Sequence, residues 1–369
     1  MRIVYFTHSL ASCWNNGNAH FLRGTLRELI ALGHEAVACQ PRTGWSLENL
    51  LKDHGPRALD AFRAAYPELK PVDYDAFSDL EACVAGADVV IVHEWNEPWV
   101  VRGLGKLRAR GGRFVLLFHD THHRAVSDPY AIGSFDLDGY DAVLAFGEAL
   151  ADVYRQRGWG RSVHVWHEAA DTRLFRPPRL EKERKGLVWV GNWGDDERSA
   201  EITEFLLRPA AEADLPLDIY GVRYPEAALE TLKQHGARFR GWLPNALAPA
   251  AFASHLTTVH VPRRLYTDQL PGIPTIRVFE ALACGIPLVS APWNDVEGLF
   301  RPGQDFLIAR TPEQMIRHLS ALKHDADLRR ALAANGLATI RARHTCRHRV
   351  EQLLEIIGGF RAEPAEVAA

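Results

Sequence analysis

The chain reads as an α/β protein of two parallel-sheet domains, and three observations point there. At 369 residues it is longer than one hydrophobic core usually organises. Short apolar segments of strand character alternate with helical segments in both halves, and strands separated by helices build a parallel sheet covered on both faces. Between the halves, a stretch rich in proline and charge near residues 170 to 185 breaks the rhythm.

In the first half, Ile3 to Thr7 predicts a buried strand, Ala19 to Leu32 an amphipathic helix stopped at Gly33, and Glu35 to Cys39 the next strand. Asp88 to His93, Arg113 to His119 and Ala142 to Phe146 follow as further strands. Ligands of such sheets sit beyond the carboxyl ends of the strands. Here those ends are polar: Thr7-His8-Ser9 with the loop Trp14 to His20, then His93-Glu94-Trp95-Asn96-Glu97, then His119-Asp120-Thr121-His122-His123. The second half offers five strands, Leu187 to Gly191, Leu217 to Gly221, Ala237 to Gly241, Thr257 to Val261 and Leu288 to Ser290. Val350 to Ile357 is an apolar-rich helix, the run Glu181 to Lys185 reads as solvated linker, and Glu363 to Ala369 is expected to fray. The expected division is a first domain over 1–170, a linker over 171–184, a second domain over 185–345 and a terminal helix with its tail over 346–369.

Hydrophobic residues make up 47% and charged residues 24% of the chain, the balance of a soluble globular protein, and the formal net charge of −3 gives no reason to expect nucleic-acid binding. No apolar run reaches the roughly 20 residues that span a bilayer, and Met1 to Phe6 is too short and strand-like for a signal peptide, so a cytoplasmic protein is expected. Five cysteines, odd in number and without Cys-x-x-Cys spacing, indicate neither a disulfide framework nor a zinc site. The histidines of 119–123 and of His344-Thr345-Cys346-Arg347-His348 lack the fourth ligand and fixed geometry of a closed metal site, and no metal is expected.

The stretch Pro274 to Ser290 is the most informative. Pro274 presets the φ favoured in a first helical turn, Gly285 stops the helix, and Ile286 to Val289 is a short buried strand. Arg277 and Glu280 then share one helix face. The helix N-terminus suits a pyrophosphate, and an inward carboxylate can accept hydrogen bonds from two ribose hydroxyls. A plain surface ion pair between the two, worth roughly 0.2–0.5 kcal/mol, is the competing reading.

On these residues the second half resembles the donor domain of GT-B glycosyltransferases, and within them the CgeB-like group, whose members carry a similar run of Ile-Pro, Arg, Phe-Glu-Ala and Ala-Cys-Gly. The resemblance implies two Rossmann-like domains facing across a cleft, an acceptor domain first and a nucleotide-sugar donor domain second, with the last helix crossing back. Asp171 to Pro178 is similar to the interdomain Asp-x-x-x-Phe-x-Pro connection. In the related retaining families the second acid of a Glu-x7-Glu motif binds the ribose, and Glu280 matches it. Gly272 stands where the first acid would be, so that acid's role does not carry over.

The donor contacts implied are Gly17, Asn192, Trp193, Arg198, Gly221, Trp242, Leu243, Arg263, Arg264, Tyr266, Thr275, Ile276, Arg277 and Glu280. Guanidinium groups ahead of a helix N-terminus are chemically suited to phosphate oxygens. On the acceptor side the candidates are His119, Asp120, Glu94 and His20. Imidazole suits proton transfer near neutral pH. Glu94 is the base an inverting transfer would need, whereas a retaining one can use the leaving phosphate. Trp95 and Trp99 could stack on a sugar or pack in the core, and packing is the better reading for at least one. The expected activity is metal-independent transfer of a sugar from a nucleoside diphosphate donor, a UDP- or GDP-sugar, to a hydroxyl-bearing acceptor, with retention favoured. A nucleotide-sugar epimerase and a non-catalytic sugar-nucleotide or glycan binder remain the alternatives.

Overall fold

The computed structural model describes residues 1–177 and 183–362. Pro178, the residues Glu181 and Lys182 of the charged run, and the tail Glu363 to Ala369 lie outside the described residues. The chain packs into two compact units. The first comprises Met1–Ser12, Phe21–Glu168 and the segment from Cys346 on, and the second Cys13–His20 with Ala169–Thr345.

The first unit holds seven strands: β1 Arg2–Phe6, β2 Glu35–Pro41, β3 Val72–Tyr74, β4 Val89–His93, β5 Val115–Asp120, β6 Ala142–Ala145 and β7 Val163–Val165. They pair in parallel in the order β3-β2-β1-β4-β5-β6-β7. Strands β4 and β5 are buried along their whole length, which is why they read as unbroken apolar runs. The helix Cys346–Ala362 belongs to this unit: Trp166 Nε1 donates to Arg349 O at 2.8 Å and Gln352 Nε2 to Val165 O at 2.9 Å.

The second unit holds β8 Leu187–Val190, β9 Leu217–Tyr220, β10 Arg238–Phe239, β11 Thr257–His260, β12 Leu288–Ser290 and β13 Leu307–Ile308, parallel in the order β10-β9-β8-β11-β12-β13. Five of the six were expected, and β13 was not. In both sheets the order reverses beside the first strand, between β1 and β4 and between β8 and β11. Such a switch point is where an open α/β sheet leaves a crevice for ligand.

Candidate functional site

The helix Ile276–Ala283 starts at Thr275, which is extended (φ −80°, ψ 160°) and makes no side-chain capping bond. Pro274 therefore lies one residue before the cap rather than in the first turn, while Gly285, at φ +62°, stops the helix as expected. The first-turn N–H groups lack a side-chain cap and keep their partial positive charge. Thr275 and Arg277 line a pocket with Arg198 and His260, which the ends of β8 and β11 bring to the switch point.

Arg198 is the least compensated cation there. Nη1 donates to Val261 O at 3.1 Å and Nη2 to Asn192 O and Oδ1 at 2.9 and 2.7 Å, all amide oxygens, and Nε has no partner. Burial brings its pKa down to about 9, and the charges of Arg263 and Arg277 push the same way. Its path is made by Gly194, at φ +86°, where a Cβ would stand 2.4 Å from Arg198 Cγ. Arg263 pairs with Glu197 and donates to Asn192 Oδ1 at 3.1 Å. Arg277 pairs with Glu280. Three guanidinium groups thus face two carboxylates beside a helix N-terminus.

Glu280 is fully buried. Its Oε1 accepts from Asn245 Nδ2 at 2.7 Å and from His20 Nδ1 at 3.0 Å, and its Oε2 from Arg277. Burial alone would raise its pKa, but the charge of Arg277 and the hydrogen bond from His20 outweigh it and hold the carboxyl at about 2. His20 Nε2 accepts the backbone N–H of Asp171 at 2.8 Å, so Nδ1 carries the proton given to Glu280. Both nitrogens are occupied. This histidine, expected to touch the donor phosphate or the acceptor, holds the carboxylate, its ring centroid 4.0 Å from that of Phe175 and tilted by 51°.

The other expected donor residues divide. Asn192 is at the centre, bonded to both Arg198 and Arg263, and Gly17 lies against Ile276, where a Cβ would be 3.2 Å from its Cγ2. Gly221 lies against the Gly191 carbonyl at the end of β9, and Trp242 and Leu243 are half-buried in the loop leading to Asn245. Trp193 belongs to the hydrophobic core and Tyr266 is buried. Arg264 is exposed, and its Nε lies 3.3 Å from both Glu201 Oε1 and the Glu197 carbonyl, at the rim of the cluster. Gly272 sits at φ +91° with Val296 Cγ2 2.4 Å from where its Cβ would be, so the position that lacks the first acid has neither the backbone nor the space for a side chain.

The first unit gathers a different set at its own switch point. His119 is enclosed within β5 rather than standing at its mouth: the ring lies 4.7 Å from Trp166, Nδ1 meets Tyr5 Oη, and Nε2 has no partner. Burial keeps it neutral, with a pKa of about 3. Asp120 Oδ2 accepts from Tyr154 Oη at 2.7 Å and Oδ1 from the His122 N–H at 2.9 Å. Burial pushes its pKa up to about 6 against those bonds. Glu94 Oε2 pairs with Arg124 at 3.1 Å while Oε1 has no partner. Burial, then the charge of Asp120, raise Glu94 well above the usual carboxylate range. Trp95 and Trp99, 43% and 37% exposed, are not closed into the core, and Arg124 covers the Trp95 ring at 4.5 Å. Among the described residues, no three His, Cys, Asp or Glu side chains are grouped to hold a metal ion, and no helix is long and apolar enough to cross a membrane.

Residues 198–355 match the family described as Glycosyl transferase-like. No curated protein matches the sequence. Solved structures match over nearly the whole chain. A sucrose-phosphate synthase from Thermosynechococcus elongatus is 13% identical, covers 98% of this chain and 100% of its own, and superposes with a TM-score of 0.65. Anabaena HepE, in complex with UDP and glucose, is 15% identical over 97% and 99% with a TM-score of 0.66. An alpha-glucosyltransferase, in complex with UDP and a 13-mer DNA, is 12% identical over 97% and 99% with a TM-score of 0.69. The chain carries a glycosyltransferase-like domain in a GT-B fold.

Within this GT-B chain, the residues that sequence reasoning missed are Asn245 and His260. Asn245 follows the expected donor contacts Trp242 and Leu243, and its amide carries no charge to draw notice. His260 lies inside an apolar strand and looks like an interruption of it.

Proposed function

We propose that the protein is a GT-B glycosyltransferase, of the CgeB-like group on its run Arg277 to Gly285, that moves a sugar from a nucleoside diphosphate to a hydroxyl-bearing acceptor. The observation that carries this reading is Arg198, a half-buried cation hydrogen-bonded only to amide oxygens, grouped with Arg263 and Arg277 at an uncapped helix N-terminus. With three guanidinium groups facing two carboxylates, a diphosphate supplies the further anion. UDP in two of the structural neighbours supports a uridine donor, with a GDP-sugar as the second choice.

In this reading the second unit holds the donor. Ribose hydroxyls donate to Glu280, whose carboxylate is kept ionised and oriented by Arg277, His20 and Asn245. Negative charge growing on the leaving diphosphate is stabilised by the three arginines and the helix N-terminus, with no metal required. The first unit holds the acceptor near Glu94. Glu94 is engaged in an ion pair with Arg124, which favours retention, with the leaving phosphate taking the acceptor's proton. His119, enclosed and neutral, and Asp120 position this polar cluster. DNA, the ligand of one neighbour, is not carried over, because the net charge of −3 gives no general attraction to phosphate chains. The glycosyltransferase family match weighs against an epimerase or a silent binder.

The test is a thermal-shift panel of UDP-, GDP-, ADP- and dTDP-sugars, followed by assay of free diphosphate release with candidate acceptors. A donor that binds only the native state raises its melting temperature. Stabilisation by one base class and stoichiometric glycoside product are expected. Stabilisation by none of the four contradicts the donor site.

A further inference from the structure

His260 ends β11 at the switch point, 3% exposed. Its Nδ1 lies 3.0 Å from Ser290 Oγ, and the Ser290 hydroxyl donates to Ala291 O at 2.8 Å. With its own hydrogen committed, Ser290 accepts from His260 Nδ1–H, which leaves Nε2 as a bare lone pair. That nitrogen has no partner, and the residue lines the same pocket as Arg198, Thr275 and Arg277. Burial and the charge of Arg198 keep the ring neutral, with a pKa of about 3. Buried acceptors in native proteins are almost always satisfied. The arginines and the helix N–H groups around it are donors, as a diphosphate requires. An ionised phosphate oxygen is itself an acceptor and is repelled by a lone pair. The group that completes His260 must therefore carry a hydrogen.

We propose that His260 is a specificity residue whose Nε2 accepts a hydroxyl of the sugar attached to the diphosphate, so that the pocket prefers nucleotide sugar to free nucleoside diphosphate. The inference rests on the donor-site reading above and adds to it which part of the ligand is read. It also gives Ser290 a role, holding the imidazole in the one tautomer that can accept.

The experiment is calorimetric titration of UDP, UDP-glucose, GDP and GDP-mannose into the parent protein, His260→Phe and His260→Gln. His260→Phe removes the acceptor at similar volume, and His260→Gln returns an acceptor oxygen near the Nε2 position. The parent is expected to bind one sugar nucleotide more tightly than its free diphosphate. His260→Phe should weaken that sugar nucleotide about fivefold to tenfold, with free diphosphate within about twofold, and His260→Gln should restore most of the loss. If His260→Phe does not fold, His260→Asn, with its amide at the Nδ1 end of the ring, serves as the variant without an acceptor at Nε2. Equal weakening of sugar nucleotide and free diphosphate overturns the proposal, since it marks a phosphate contact, a water-bridged one or a collapsed pocket. So does parental affinity for both. A parent that binds none of the four, and that no ADP- or dTDP-sugar stabilises, overturns the donor-site reading itself, and this inference with it.

Discussion

Glu280 in the second unit and Asp120 in the first are equally enclosed, yet they titrate in opposite directions. Burial pushes both upward. Around Glu280 the charge of Arg277 and the hydrogen bond from His20 outweigh it, and the group settles at about 2. Around Asp120 the hydrogen bonds from Tyr154 and His122 and the charge of Arg124 offset only part of it, and the group stays at about 6. The second unit is thus organised around permanent charge with cations in excess. The first holds one ion pair, Glu94 with Arg124, beside enclosed imidazoles, with His8 and His119 lowered by burial to about 4 and 3. A cation-rich pocket suits a diphosphate, and one whose cation is already paired suits an uncharged hydroxyl-bearing compound.

The strongest way to break this contrast is Glu280→Ala. Donor affinity should fall by roughly 1.5–3 kcal/mol, the range for hydrogen bonds to a charged group. Melting temperature should fall as well, because Asn245, His20 and Arg277 lose their shared acceptor. Unchanged nucleotide affinity in the folded variant would leave Glu280 a structural ion pair. Next in size, Gly272→Glu should destabilise by about 1–3 kcal/mol and bring no gain in turnover, because position 272 is left-handed and pressed by Val296. A stable, faster Gly272→Glu enzyme would show that the backbone there accommodates the acid.

Asp120→Asn sharpens the contrast through pH. The folded protein keeps a proton on Asp120 that the unfolded chain releases above its ordinary 3.8, so this group costs stability as pH rises from 3.8 to about 6 and nothing more beyond. Buried histidines with lowered values act with the opposite sign over much of that range, so the quantity to read is variant minus parent. That difference should shift in favour of the variant by at most about 1.4 kcal/mol per pH unit across the window and then level off. Glu280 acts the other way, with stability present above pH 4.5 and lost as pH falls toward 2. A flat difference between Asp120→Asn and parent from pH 4 to 6 would mean that Asp120 is ordinary. The smallest effect belongs to Arg264→Ala, which should change nucleotide affinity by less than about 0.5 kcal/mol, as its exposed side chain faces Glu201. A larger loss would bring Arg264 into the cluster.

Much of this was legible in the sequence, for physical reasons that also mark the limits. The central strands are unbroken apolar runs because both faces of the sheet are covered. Strands β3, β7 and β13 escaped notice because they span two or three residues at or near sheet edges, and β3 and β7 carry Asp73 and His164 between their apolar residues. The helix Ile276–Ala283 announced itself by proline before, glycine after and a lone acid within. Arg198 could be named as a donor contact, but its placement depends on Gly194 and on carbonyls from two strand ends, which spacing alone does not reveal. His20 and His119 were visible as histidines near strand ends. That both nitrogens of one are occupied, and that the other is closed in by Trp166, follows only from packing.

The central claim, a diphosphate site built on a cation that no carboxylate contacts directly, is tested most directly by measuring stability and UDP affinity together on Arg198→Met. The account predicts that UDP binding weakens by about 2–3 kcal/mol while the melting temperature of the unliganded protein holds or rises, because an apolar chain of similar length replaces a half-buried charge that no carboxylate contacts directly. Parental UDP affinity, or a fall in melting temperature with binding intact, would contradict it and make Arg198 a structural residue.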